Sequence, residues 1–179
     1  PLLEVNVFSA IQNNCIGTYV LVEAAVNASV ETFTLVSTDK AVNPTNIMGA
    51  SKRVSELICK AYASHQMSTK FAIVRFGNVL NSSGSVVPLF MRQINKGGPV
   101  TLTSADVSRY FMTIPEAVDL VVQASAMESV SNIYVLDMGA PVKILDLAMR
   151  MVELAGLTPY FRDENSADSE FTKSSFQAL

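Results

Sequence analysis

The sequence has no tryptophan, a single histidine (His65) and only two cysteines, Cys15 and Cys59, among 179 residues. Two thiols on expected helices, with no secreted-scaffold spacing around them, read as reduced and buried. His65 falls at a helix end, where it suits the helix dipole and makes no claim on catalysis. No metal site is expected. Charged residues are scarce, at 16%, and the net charge is −3 with no basic block. That balance gives nucleic acid and anionic membranes little support as partners. No apolar run approaches the ~20 residues of a membrane-spanning helix, and no signal peptide is visible. Nor does the chain begin with methionine. Pro1-Leu2-Leu3-Glu4 reads as the end of a loop, so a piece of a longer chain is expected, with any membrane segment in the missing N-terminal region.

What is present is apolar and regularly spaced. Hydrophobic residues make up 49% of the chain, which places it among globular proteins. Its length allows one good core or two small lobes. Apolar side chains recur near helical spacing from Val7 to Ala28, and Thr32 to Ser37 reads as a strand. A helix follows over Asn46 to Gln66, then a strand over Lys70 to Phe76. Gly77 to Gly84, with Asn78, Asn81, Ser82 and Ser83, reads as a loop. Val86 to Lys96 is a helix stopped by Gly97-Gly98-Pro99, and Val100 to Thr103 is a short strand. Arg109 to Thr113 is extended, Pro115 opens a helix to Ala126, Ile133 to Asp137 is a strand, and Ile144 to Ala155 is a helix closed by Gly156.

Strands alternating with helices at this spacing are the βαβ pattern of a parallel sheet. The fold class is therefore α/β, a partial Rossmann-like sheet with a small second lobe. The expected division is 1–80 for the sheet domain and 81–179 for the lobe, with segments returning to the sheet. No G-x-G-x-x-G run occurs, so the strand–glycine–helix turn that cradles a pyrophosphate is not supplied by these residues.

Chemistry concentrates at one place. Ser37-Thr38-Asp39-Lys40 follows the apolar run Phe33-Thr34-Leu35-Val36, and Asn43-Pro44-Thr45-Asn46 leads into the next helix. Open α/β sheets place ligands at the carboxyl ends of their strands. Met48 and Lys52 are four apart, on one helix face, and Thr38 stands ten residues before Met48. Short-chain dehydrogenases place a Tyr and a Lys at that helical spacing, with a Ser or Thr at the preceding strand end.

The run from Ser37 to Arg53 resembles the nucleotide-sugar 4,6-dehydratases of capsule, O-antigen and glycan synthesis, within the extended short-chain dehydrogenase/reductase superfamily. Arg75-Phe76-Gly77-Asn78-Val79-Leu80, Gly84-Ser85-Val86-Val87-Pro88-Leu89-Phe90, Arg109-Tyr110-Phe111-Met112-Thr113 and Val135-Leu136-Asp137-Met138-Gly139 continue the likeness in order. It covers roughly Pro1 to Gly156. The resemblance implies a UDP-N-acetylhexosamine substrate and bound NAD or NADP. Hydride leaves C4, water is lost across C5 and C6, and hydride returns to C6. It implies Asp39 as acid toward the C6 hydroxyl if its pKa is raised, and Lys40 as base at C5 if Lys52 crowds it. Lys52 would hold the nicotinamide ribose, with Phe76, Gly77 and Val79 also on the cofactor, and Thr38 would bond the sugar near C4. Asn78 and Arg109 would face the diphosphate, and Val86 and Pro88 the uracil.

The chain departs from the family at Met48, where many members have Tyr; a thioether has no proton to trade. Asp39, acting through water, is the expected substitute base. The C-terminal run from Glu170 to Leu179 also lacks the Gly-Leu-Arg-Pro-Gly-Glu-Lys-like segment of relatives. Two alternatives stay open: a nucleotide-sugar 4-epimerase, which needs no Asp39-Lys40 pair, and a non-catalytic α/β remnant. A homo-oligomer, or association through an exposed sheet edge, is expected. The expected compartment is the cytoplasm, or its face of the inner membrane for a longer protein.

Overall fold

The computed structural model describes residues 2–80, 82, 84–127, 131–161 and 175–178. Asn81 and Ser83 of the expected loop, and most of the C-terminal polar run, lie outside them. The chain divides into two compact units, Pro1–Gly77 with Pro115–Asp137 and Asn78–Ile114 with Met138–Leu179. The boundary falls three residues earlier than the expected 80/81, because Asn78 and Val79 pair with Phe111 and Met112 of the second unit.

The first unit is a three-stranded parallel sheet in the order β1 (Thr32–Thr38), β2 (Lys70–Phe76), β7 (Ser131–Val135). The register aligns Thr38 with Phe76 and Arg75 with Val135. Alternation along β1 sends its side chains to opposite faces. Leu35 packs with Phe71 and Ile73 of β2 against Val22 and Cys59. Those two come from α3 (Gly17–Asn27) and α4 (Ile47–His65). Thr34 instead meets Ser125 of α6 (Ile114–Ala126), with 2.8 Å between hydroxyl oxygens. Helices on both faces explain why β2 reads as an unbroken apolar run: it is the central strand.

The expected helix from Val7 starts as α2 (Val7–Ala10), after the short α1 (Leu2–Val5), and continues through a π-helical stretch, Ile11–Ile16, into α3. Widened turns of this kind are rare. Here the wide turn carries Asn14, whose side-chain amide donates to Ser51 Oγ on α4 at 2.9 Å. Ser55 Oγ donates to the Asn14 carbonyl at 2.6 Å. The amide thus joins the π-helical stretch to α4. Cys15 and Cys59 are both free and buried.

In the second unit, α5 (Val86–Asn95) packs on α7 (Ile144–Leu154). Phe90, Ile94, Val100, Leu102, Ala148 and Val152 form a wholly apolar core. Around it lie short pairings: β3 (Asn78–Val79) with β6 (Phe111–Met112), and β5 (Ser108–Arg109) with β8 (Val142–Lys143). A third sheet runs β4 (Val100–Thr101), β10 (Ser175–Ala178), β9 (Pro159–Phe161). Gly97 and Gly98 end α5 with φ of 84° and 86°, a left-handed backbone that side-chain-bearing residues rarely adopt.

Candidate active site at the end of β1

Strand β1 ends at Thr38, and Asp39–Ala41 form one 3-10 turn. The turn closes on itself. Thr38 Oγ1 donates to Asp39 Oδ1 at 2.8 Å and accepts from the Lys40 backbone N–H at 3.4 Å. Lys40 Nζ donates to the same Asp39 oxygen at 2.9 Å, an ion pair with side chains 33% and 42% exposed for Lys40 and Asp39. Ala41 is fully buried beneath it. The pair is therefore both anchored and open to solvent.

Helix α4 starts against this turn. Asn46 caps it, accepting from the Gly49 N–H at 2.8 Å. The Glu4 carboxylate accepts from the Ile47 and Met48 N–H groups at 3.2 and 3.4 Å, where the helix dipole favours negative charge. Gly49 is the closest approach: a Cβ there would overlap the Lys40 carbonyl oxygen. Met48 and Lys52 follow on one face, both partly buried. Lys52 Nζ donates to the Val36 carbonyl of β1 at 3.2 Å.

Electrostatics separate the groups. Burial pulls Asp39 upward, but hydrogen bonds from Lys40 and Thr38 together with the Lys40 charge outweigh it, so its pKa sits below the ordinary carboxylate value. The sequence expectation of a raised Asp39 pKa is not met: the Lys40 ammonium lies against the carboxylate. Lys52 is pushed down by burial.

The structure thus brings Thr38, Asp39 and Lys40 into one hydrogen-bonded turn and sets the Lys52 ammonium, from α4, against the strand that leads into it. Phe76 and Gly77 close β2, whose last residue pairs with Thr38. The remaining candidates belong to the second unit. Asn78 and Val79 form β3, and Asn78 donates its backbone N–H to the Tyr110 carbonyl at 3.1 Å. Val86 and Pro88 lie in the first turn of α5, and Val86 packs on that unit's core. Arg109 is exposed, with one guanidinium nitrogen on the Ser108 carbonyl at 2.9 Å.

Sequence reasoning missed Glu56. It is fully buried in α4 and accepts from Ser37 Oγ at 2.7 Å, Arg75 Nε at 2.7 Å and Arg53 at 2.9 Å. A signal was available: an arginine inside the apolar run of a central strand requires a buried acid. Among the described residues, no cluster of His, Cys, Asp or Glu could hold a metal ion. No helix there is long and apolar enough to cross a membrane. For a nicotinamide cofactor the fit is partial. The Lys52 ammonium, already engaging a carbonyl oxygen at the strand end, suits ribose hydroxyls, whereas a glycine-rich pyrophosphate cradle is not among these residues.

A parallel sheet with helices on both faces and a polar turn at the end of β1 is a Rossmann-type α/β arrangement. The chain belongs to the family described as "Polysaccharide biosynthesis protein", whose model matches residues 1–172. It is 55% identical over 158 residues to the probable polysaccharide biosynthesis protein EpsC of Bacillus subtilis, covering 88% of this chain and 26% of that protein. Identity is 52% over 156 residues to the capsular polysaccharide biosynthesis protein CapD of Staphylococcus aureus, covering 87% and 26%. A UDP-glucose 4-epimerase of Rickettsia rickettsii is 39% identical over 137 residues, covering 75% and 40%. The chain thus spans about a quarter of EpsC and CapD. Among solved structures, Pen from Bacillus thuringiensis superposes with a TM-score of 0.81 at 34% identity, over 86% of this chain and 48% of that one. A dTDP-glucose 4,6-dehydratase from Bacillus anthracis, in complex with NAD, shares the fold at 16% identity and a TM-score of 0.76, over 82% and 53%.

Proposed function

We propose that residues 1–179 carry the proton-transfer groups of a nucleotide-sugar 4,6-dehydratase acting on a UDP-N-acetylhexosamine. The observation that carries the reading is the Asp39–Lys40 pair, joined at 2.9 Å and open to solvent at the end of β1. An acid and a base side by side are what elimination across adjacent carbons requires. An enzyme that only inverts C4 has no use for the second group.

The depressed Asp39 pKa makes this residue a carboxylate at the outset, and hence a base first. It takes the C4 hydroxyl proton, filling the role that Met48 cannot. Asp39 then holds the proton that the departing C6 hydroxyl needs. Lys40 takes the C5 proton once its ammonium, paired with Asp39 in the resting site, has released its own proton to solvent; the C5–C6 double bond forms, the C6–O bond breaks and water leaves with the Asp39 proton. Thr38 orients the sugar near C4, and Lys52 holds the ribose of the nicotinamide. When bound, NAD or NADP supplies the reversible hydride acceptor for C4 and C6. Asn78 and Arg109 suit a diphosphate, Arg through its forked donors.

The second reading is a nucleotide-sugar 4-epimerase, favoured by the likeness to the Rickettsia enzyme. The experiment is product analysis by mass spectrometry after incubating the whole protein with UDP-N-acetylglucosamine in heavy water. A 4-keto-6-deoxy sugar, lighter by one water and deuterated at C5, supports the dehydratase. A product of unchanged elemental composition, inverted at C4, supports the epimerase.

A further inference from the structure

We infer that Glu56 is the positioning residue of this site, a buried carboxylate clamping Ser37, Arg53 and Arg75, each the chain neighbour of a site group. Ser37 precedes Thr38, Arg53 follows Lys52, and Arg75 precedes Phe76. The inference rests on the proposed reading of Thr38, Lys52 and Phe76 as site residues.

The geometry ties three elements at one level. Ser37, Leu35 and Phe33 alternate onto the α4 face of β1, and Arg75, Ile73 and Phe71 do so on β2. The apolar pairs pack; the last pair, Ser37 and Arg75, converges on Glu56 instead. Ser37 and Arg75 are also register partners across the two strands. Glu56 lies four residues after Lys52, on the same helix face. Arg53 closes the cluster from within the helix.

Such a cluster is a poor device for stability alone. Taking a carboxylate and a guanidinium out of water is costly, and well-packed apolar residues of similar volume do as well or better. Its product is direction: each hydrogen bond fixes an angle that apolar contacts leave loose. Directional anchoring of β1, β2 and α4 at the strand ends holds Lys52 Nζ against the Val36 carbonyl and the Thr38–Lys40 turn beneath the start of α4. Misplacement of reacting groups by about 1 Å costs on the order of 10²-fold in rate. A clamp at this point therefore acts on turnover more than on substrate affinity.

The test uses Glu56→Asp, which keeps the charge but withdraws the carboxylate by one methylene, and Ser37→Ala, which removes one hydrogen bond. In the whole protein, Glu56→Asp should lower kcat on the order of 10²-fold, with KM for the nucleotide sugar little changed. Ser37→Ala should do the same to a smaller extent. Independently of activity, competitive amine labelling read by mass spectrometry should show Lys52 titrating closer to an ordinary lysine in both variants, as it swings away from β1. If Glu56→Asp does not fold, Ser37→Ala carries both readouts. Folded variants with lower melting temperatures but wild-type kcat and wild-type Lys52 labelling would make Glu56 merely structural and overturn the inference. If the wild type processes no nucleotide sugar, the functional reading fails, and Lys52 labelling still decides the positioning role.

Discussion

The two units bury different chemistry between helix and sheet or helix and helix. In the first, the seam between α4 and the sheet begins apolar at Phe71, Ile73 and Cys59 and ends in the Ser37–Glu56–Arg75 cluster. In the second, the seam between α5 and α7 is apolar throughout, from Phe90 to Val152. The polar end of the first seam coincides with the strand ends where Thr38, Asp39 and Phe76 lie. The apolar seam supports α5, on whose first turn Val86 and Pro88 sit, but fixes no charged group. On the proposed reading, the proton-transfer groups Asp39 and Lys40 lie in the unit that has a directional clamp.

The sharpest way to break this contrast is to remove the clamp's acid. Glu56→Ala should destabilise the first unit by about 3–5 kcal/mol, because it strands a buried guanidinium, measured by urea denaturation. In the second unit, Ile94→Val should cost only about 0.5–1.5 kcal/mol, the loss of one methylene.

Acid should separate the units too. Burial tends to raise the Glu56 pKa, but hydrogen bonds from Arg75, Ser37 and Arg53 and the Arg75 charge hold it below its ordinary 4.5. The unfolded chain then binds the proton more readily, so stability rises with pH across that interval. The Glu56 contribution is complete above the ordinary value and is lost as pH falls through the depressed one. Fluorescence or hydrogen-exchange probes in the first unit should report acid unfolding that Glu56→Gln blunts. Probes beside Ile94, whose core holds no buried carboxylate among the described residues, should be insensitive to that substitution.

Smaller effects sharpen the picture of the site. Gly49→Ala should cost ~1–3 kcal/mol, typical of overpacking, and should disturb the Asp39–Lys40 turn, because the added methyl meets the Lys40 carbonyl. Calorimetric melting of the variant checks it. Met48→Leu should be mildest, below about 1.5 kcal/mol, with activity nearly kept.

Much of this was legible in the sequence. Strand alternation and helical spacing located β1, β2, α4, α5, α6 and α7 to within a residue or two, since each has a clear apolar face. The Thr38–Lys40 turn stood out because polar groups followed an apolar strand. What escaped was non-local. β3 and β8 are two-residue pairings fixed by distant partners, as are the partners of the extended run from Arg109 to Thr113, and the π-helical stretch looks like ordinary helix in residue spacing. Glu56 resembled any solvated glutamate on an amphipathic helix; only its pairing with Arg75 from a central strand reveals burial.

On the proposed reading, Asp39 and Lys40 divide the proton transfers of elimination. The most direct measurement is stopped-flow absorbance of reduced nicotinamide in the whole protein with Lys40→Ala and Asp39→Asn. Removing a positioned acid or base commonly costs ~10²–10⁴-fold. Lys40→Ala should block water loss while C4 oxidation proceeds, so reduced cofactor accumulates. Asp39→Asn should suppress the reduction itself. Wild-type product formation by Lys40→Ala would overturn that division of labour.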